Sequence, residues 1–190
     1  MVVMLREAIQ SESLFALLHK IDVDLAESAR AGGCPYCEGP LHYASYQRQP
    51  RGGPKNLPEE YLTRLSLCCG DEKCRRRTLP LSVLFWGRRV YWGAVIIVVT
   101  ALRQQRSEGY CADKICTMFG VPILTLKRWL TYFREIFPLS EIWQRLRSML
   151  MPPVAPESIP LAVLERLGLA RDDPGGTLIQ CLRMLRLGVG

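Results

Sequence analysis

At 190 residues, with 48% hydrophobic and 8% aromatic side chains, the chain can build one or two small domains, and a disordered chain is excluded. Its net charge of +7 is unevenly spread: residues 48–106 hold twelve basic and four acidic side chains, whereas residues 1–47 hold three and six. The longest apolar run, Val90 to Leu102, is thirteen residues closed by Arg88, Arg89 and Arg103, too short for a membrane span of about twenty.

In residues 1–31, Leu5, Ile9, Leu14, Leu17, Leu18, Ile21 and Leu25 recur among polar neighbours, the spacing of one or two amphipathic helices. Gly32-Gly33 end this segment and admit Cys34-Pro35-Tyr36-Cys37. About thirty residues later comes Cys68-Cys69-Gly70-Asp71-Glu72-Lys73-Cys74. Two tight cysteine pairs at that separation read as the two knuckles of a zinc ribbon, in which thiolates on two turns enclose one structural Zn2+. The ligands are then Cys34, Cys37, Cys74 and one of Cys68 and Cys69; either spacing to Cys74 can close a knuckle, and we take Cys69. Leu41–Gln47 and Tyr61–Leu67 read as strands leading away from one knuckle and into the other. Arg48–Lys55, rich in Pro, Gly and Arg, reads as a basic loop rather than core. His19 and His42 are assigned to packing or surface, since four cysteines suffice.

Two other readings of the cysteines stand beside this one. Cys-Pro-Tyr-Cys is also a thiol-redox motif, but that chemistry needs a helix starting inside the motif, and Glu38-Gly39-Pro40 oppose one. A disulfide framework is the other, and no signal peptide accompanies it.

Arg75-Arg76-Arg77 leave the second knuckle, and residues 78–82 read as an extended connection. Phe85-Trp86-Gly87-Arg88-Arg89 precede an apolar helix predicted from about Val90 to Gln105 and broken at Ser107-Glu108-Gly109. Residues 112–131 then fit a helix-turn-helix: Gly120 at the turn, Cys116 at the small position, and Ile115, Phe119, Val121, Leu126 and Trp129 at the five apolar positions. The second helix, starting near Pro122, exposes Ile123, Leu124, Thr125, Lys127, Arg128 and Thr131. An ordinary helical hairpin gives the same pattern. Pro138 stops this helix, and Ser140 starts another that runs to about Met151. After a Pro-rich linker, helices over Pro160–Leu167 and Thr177–Leu187 flank a turn at residues 171–176. The second carries an apolar face for packing on the body or for a partner protein such as a transposase. The domains so read are an N-terminal helical segment (1–31), the ribbon (32–80), the helix-turn-helix unit (81–137) and a helical tail (138–190). The fold class is mainly α with a small β ribbon and a three-helix bundle after it.

The Cys-Pro-x-Cys knuckle, the second knuckle ending in Cys74-Arg75-Arg76-Arg77-Thr78, the apolar helix and Thr125-Leu126-Lys127-Arg128-Trp129 together resemble the N-terminal DNA-binding region of insertion-sequence transposases. The resemblance covers about residues 30–137. It implies zinc on Cys34, Cys37, Cys69 and Cys74, and DNA contacts from Lys127 and Arg128. The gap between knuckles is longer than the family's. The roughly fifty residues after the helix-turn-helix lack the strands and paired carboxylates that a two-metal nuclease needs. The expectation is therefore a non-enzymatic, zinc-stabilised DNA-binding protein of a bacterial-type cytoplasm, associated with the nucleoid and with transposition or regulation of a mobile element. Arg75, Arg76, Arg77, Arg88 and Arg89 would anchor phosphates, and Thr125, Lys127 and Arg128 would reach phosphates or bases. The same charge also suits a solvated surface, or an RNA-binding ribbon that stacks bases on Tyr43 and Tyr46.

Overall fold

The most apolar stretch of the chain becomes its centre. The structure, a computed structural model, describes residues 2–105, 111–168 and 173–188. Among them are eight α-helices: α1 (Val2–Ala8), α2 (Glu12–Ala31), α3 (Gly93–Gln104), α4 (Ala112–Phe119), α5 (Ile123–Thr131), α6 (Glu141–Leu146), α7 (Leu161–Gly168) and α8 (Pro174–Leu187). Every residue of α3 from Gly93 to Leu102 is buried, as expected of a helix apolar on all sides. One continuous core gathers round it, drawing Leu5 and Phe15 from the first helices, Ile115 and Trp129 from α4 and α5, Trp143 from α6, and Leu178 and Leu182 from α8. The apolar face of α8 is thus covered by its own chain. Arg186 of α8 lies over the Trp86 ring at 4.9 Å and donates to the Ser82 carbonyl.

The β component is small. Strands β1 (Leu41–Tyr43), β4 (Leu67–Cys69) and β5 (Arg77–Thr78) form an antiparallel sheet in the order β1-β4-β5, and β2 (Tyr46–Gln47) pairs with β3 (Thr63–Arg64). The two strands expected over 41–47 and 61–67 are therefore one long hairpin interrupted near Ala44, whose N–H still reaches the Ser66 carbonyl at 2.8 Å.

Several boundaries differ from the sequence reading. The helix expected from Val90 starts at Gly93, because Val90 to Trp92 are extended and bonded elsewhere. The Arg51 N–H donates to the Val90 carbonyl at 2.8 Å, and the Trp92 N–H donates to the Arg51 carbonyl at 3.4 Å. The helix after Ser140 ends at Leu146 rather than Met151, although Ser140 caps it, accepting from the Trp143 N–H. The last helix begins at Pro174, three residues early, since Pro is tolerated in a first helical turn. The expected break at residues 107–109 lies outside the described residues.

The Arg48–Lys55 loop is not a free basic loop. Gly52 and Gly53 lie flat on the core, where a Cβ at Gly53 would sit 2.6 Å from the Trp92 ring and 3.1 Å from Phe15. Both rings are fully buried and have nowhere to go. Gly53→Ala should therefore cost about 2 kcal/mol, lowering the thermal midpoint by roughly 6 °C. Gly120→Ala is the contrast: its φ is +61° but a Cβ there meets nothing within 4 Å, so only about 1 kcal/mol of backbone strain is expected.

A buried carboxylate ties α2 to the chain leaving the sheet. Asp22 accepts from the Ser82 hydroxyl and from the Val83 N–H at 2.7 Å, and Ser82 in turn accepts from the Phe85 N–H at 2.9 Å. Burial pushes the Asp22 carboxyl up to about 6, against the pull of those hydrogen bonds and of Arg64. Its folded value exceeds its unfolded one, so the folded protein holds the proton more tightly between pH 4 and 6. The stability it contributes is full below pH 4 and is lost as pH rises through 6, a change of about 3 kcal/mol. Asp22→Asn should remove that dependence. From pH 4 to 7, the stability of the variant relative to wild type should rise by about that amount in paired thermal melts.

Candidate metal centre and basic surface

Four sulfurs meet at the base of the hairpin. The Sγ atoms of Cys34, Cys37, Cys69 and Cys74 all lie within 4.8 Å of one another, a group that can hold a metal ion. The Cys34–Cys74 and Cys37–Cys69 separations are 3.7 and 3.4 Å. Four thiolates at the Zn–S distance of 2.3 Å in a tetrahedron would stand about 3.8 Å apart, so the cluster has the size of such a shell.

Local sequence explains how two turns forty residues apart come to match. In the first, the Glu38 N–H bonds back to the Cys34 carbonyl at 2.8 Å; in the second, the Arg75 N–H bonds to the Asp71 carbonyl at 3.0 Å. The residue after the second cysteine of each pair has the left-handed conformation, φ +59° at Glu38 and +47° at Arg75. The strand pairing Leu41 with Cys69 then brings the turns together.

Cys69 joins the cluster and Cys68 does not. Leu67 and Cys69 are buried on one face of β4, while Cys68 faces the other way, its sulfur near the Arg75 carbonyl at 3.5 Å. Strand alternation carried this signal: the face that hides Leu67 must hide Cys69. His42 is paired with Cys68 and stays outside the cluster. Among the cluster thiols, Cys34 is drawn down to about 7 from an ordinary 9 by the Tyr36 N–H, against the effect of burial, with help from the Cys37 N–H. Cys37, against the pull of the Gly39 N–H, is pushed up to about 12 by its hydrogen bond with Cys69, and burial raises Cys69 as well, so without a cation the sulfurs share protons that a bound metal would displace. Residues 34–37 form a turn, and no helix starts within the motif.

The predicted basic residues divide into two places. Arg75, Arg76 and Arg77 are exposed on the sheet side, where Arg76 lies over the Tyr36 ring at 4.5 Å and Arg77 over Tyr46 at 5.8 Å. Tyr36, Lys73 and Arg76 line a hollow of about 430 Å³ beside Cys37 and Cys74. The second place is a groove of about 450 Å³ lined by Arg89, Leu124, Lys127, Arg128, Thr131, Tyr132 and Ile136. The two hollows share no residue.

The groove is lined by α5, by Tyr132 and Ile136 just after it, and by Arg89. Gly120 turns the chain in the left-handed conformation, and its neighbour Val121 donates to the Cys116 carbonyl at 3.0 Å. Ile115, Phe119, Val121, Leu126 and Trp129 are all buried, which fixes the opposite side of α5 outward. Lys127, Arg128 and Thr131 are exposed there, Leu124 is 63% exposed, and Thr125 is half-buried. Arg88 is exposed, and Arg89 lies over the Tyr132 ring at 4.3 Å. Of these contacts, only the nearness of Arg89 to α5 had no signal in the sequence, since nearly forty residues separate it from Lys127.

No described helix is long and apolar enough to cross a membrane. No protein-family model matches the chain, and neither a curated protein nor a solved structure matches it.

Proposed function

We propose that this is a non-catalytic duplex-DNA-binding protein whose four-cysteine cluster holds one structural Zn2+ as a zinc ribbon. In this reading α4 and α5 are a helix-turn-helix, with α5 as the helix that enters the major groove. The observation that carries it is the outward face of α5. The five apolar positions of the motif are buried, and the residues left outside include Lys127, Arg128 and Thr131, joined by Arg89 in one groove. Two cations on the exposed side of a helix suit phosphate oxygens and guanine edges. Zinc suits an all-thiolate tetrahedral shell, for which iron is the other candidate. The mobile-element role follows from the resemblance to insertion-sequence transposases, and Arg75, Arg76, Arg77 and Arg88 are assigned to phosphates.

The test is a titration of a labelled mixed-sequence duplex with the full chain, followed by fluorescence anisotropy from 50 to 200 mM salt. Affinity should fall steeply with salt, with a log–log slope of about −0.9 per neutralised phosphate. A flat profile, or no binding at 50 mM, overturns the reading. Exposed Tyr36 and Tyr46, each beside an arginine, favour RNA as the second reading. Competition by single-stranded RNA stronger than by duplex DNA would establish it instead.

A further inference from the structure

In the sequence Arg48 belongs to a basic loop, and its position in the structure assigns it a particular task. We infer that Arg48 positions Arg89 for DNA, so that the loop of residues 48–55 braces one wall of the groove in front of α5. The inference rests on the duplex-binding reading above.

The geometry is specific. The two terminal nitrogens of the Arg48 guanidinium donate to the carbonyls of Gly87 and Arg89, each at 2.8 Å. These carbonyls flank Arg88. The same guanidinium lies over the Phe85 ring at 5.5 Å, and Phe85 is fully buried. Three residues on, the backbone of Arg51 is bonded to Val90 and Trp92 on the far side of the strap. The segment 87–92 is therefore gripped at both ends by the ribbon's own loop. Residues 87–90 rely on it most, because Gly87 has φ +59° and the side chain of Val90 is exposed, whereas Tyr91 and Trp92 are also held in the core. From the gripped end, the Arg89 side chain lies over Tyr132 and lines the groove with Lys127 and Arg128.

Two of the five N–H groups of Arg48 are held by these carbonyls, which aims the guanidinium at the backbone rather than outward at a phosphate, although its charge remains. Its planar fork is also what spans both carbonyls, and a lysine ammonium, as a single point, does not. Charge and positioning can thus be separated by one conservative change. Arg48→Lys keeps the charge and loses the fork; Arg48→Met loses both. If Arg48 positions the strap, both variants should bind duplex about tenfold more weakly, because the strap must then be ordered on binding. Their salt slopes should match wild type, since no phosphate contact is lost. Arg89→Ala should also lose about tenfold, with a slope smaller by about 0.9. The double variant Arg48→Met/Arg89→Ala should be no weaker than Arg89→Ala alone, because the two act through one contact.

A readout free of DNA accompanies the titration. Amide exchange across residues 87–92 should quicken in both Arg48 variants, with thermal midpoints still well above the assay temperature. Unchanged exchange overturns the inference, as does Arg48→Lys binding like wild type, or losses that multiply in the double variant. Faster exchange in a chain that does not bind duplex even as wild type leaves Arg48 as the strap's anchor and removes only the DNA reading.

Discussion

Cys69→Ser should strip the metal from the purified chain and unfold the two knuckles, whereas Cys68→Ser should leave both metal and fold intact. The two residues are adjacent, equally thiol-bearing and on the same strand, so the contrast isolates the position of the sulfur. Outside the cysteines, the buried apolar side chains of the small core beside the cluster are Leu41 and Leu67. Each contributes about 2 kcal/mol by burial, well below the 10 kcal/mol or so that a structural zinc supplies. Removing one of four thiolates also leaves three close sulfurs without the cation that balances them. The measurement is metal content by elemental analysis together with chelator-induced unfolding. One zinc per chain in wild type and in Cys68→Ser, and none in Cys69→Ser, is the expected result. Iron in place of zinc would change the metal but not the site. A wild-type chain that is metal-free and fully folded would refute the metal centre.

Lys127→Ala/Arg128→Ala should weaken duplex binding about a hundredfold and lower the salt slope by about 0.9. Both residues are exposed on α5 and face the groove, while Leu126 and Trp129 beside them are buried. Alanine keeps the helix, so stability should change by only a few tenths of a kcal/mol. Loss of a base contact and a phosphate contact is worth about 3 kcal/mol together, which is a factor of about 100. The slope reports how many phosphates are neutralised, through the counterions released, about 0.9 for each contact. Affinity and slope both unchanged would mean that α5 does not face DNA. A large loss of affinity with no change in slope would point to base contacts alone.

Leu124 sits at the mouth of the same groove and is 63% exposed. Single exposed leucines are ordinary on protein surfaces; in the DNA reading, thymine methyl groups are the apolar feature of a major groove that it would meet.

Much of the site was legible in the residues themselves, because its determinants are local. The two cysteine pairs mark themselves by spacing, and the glycine and apolar pattern of residues 115–129 sets which side of α5 is hidden. Both depend on short-range rules, the turn that a Gly permits and the period that a helix or strand imposes. Even the choice between Cys68 and Cys69 follows from strand alternation once Leu67 is recognised as buried. The helix boundaries were less legible. Val90 to Trp92 have the apolar character of the helix that follows, and bonds to Arg51, some forty residues earlier, with a bridge between Trp92 and Phe85, keep them extended.

Charge shows the division most clearly. The sequence by itself determined how many arginines lie between residues 48 and 106, but a formal charge says nothing of what it faces. The fold turns Arg48 onto the carbonyls of Gly87 and Arg89, and Arg64 onto those of Leu65 and Pro80, so neither presents its full charge to solvent. It leaves Arg75, Arg76, Arg77 and Arg88 exposed, and it carries Arg89 across to α5. Periodicity and cysteine spacing act between near neighbours and can be read along the chain. The partner of a guanidinium is whatever packing places within 3 Å of it, and that was decided only by the tertiary structure.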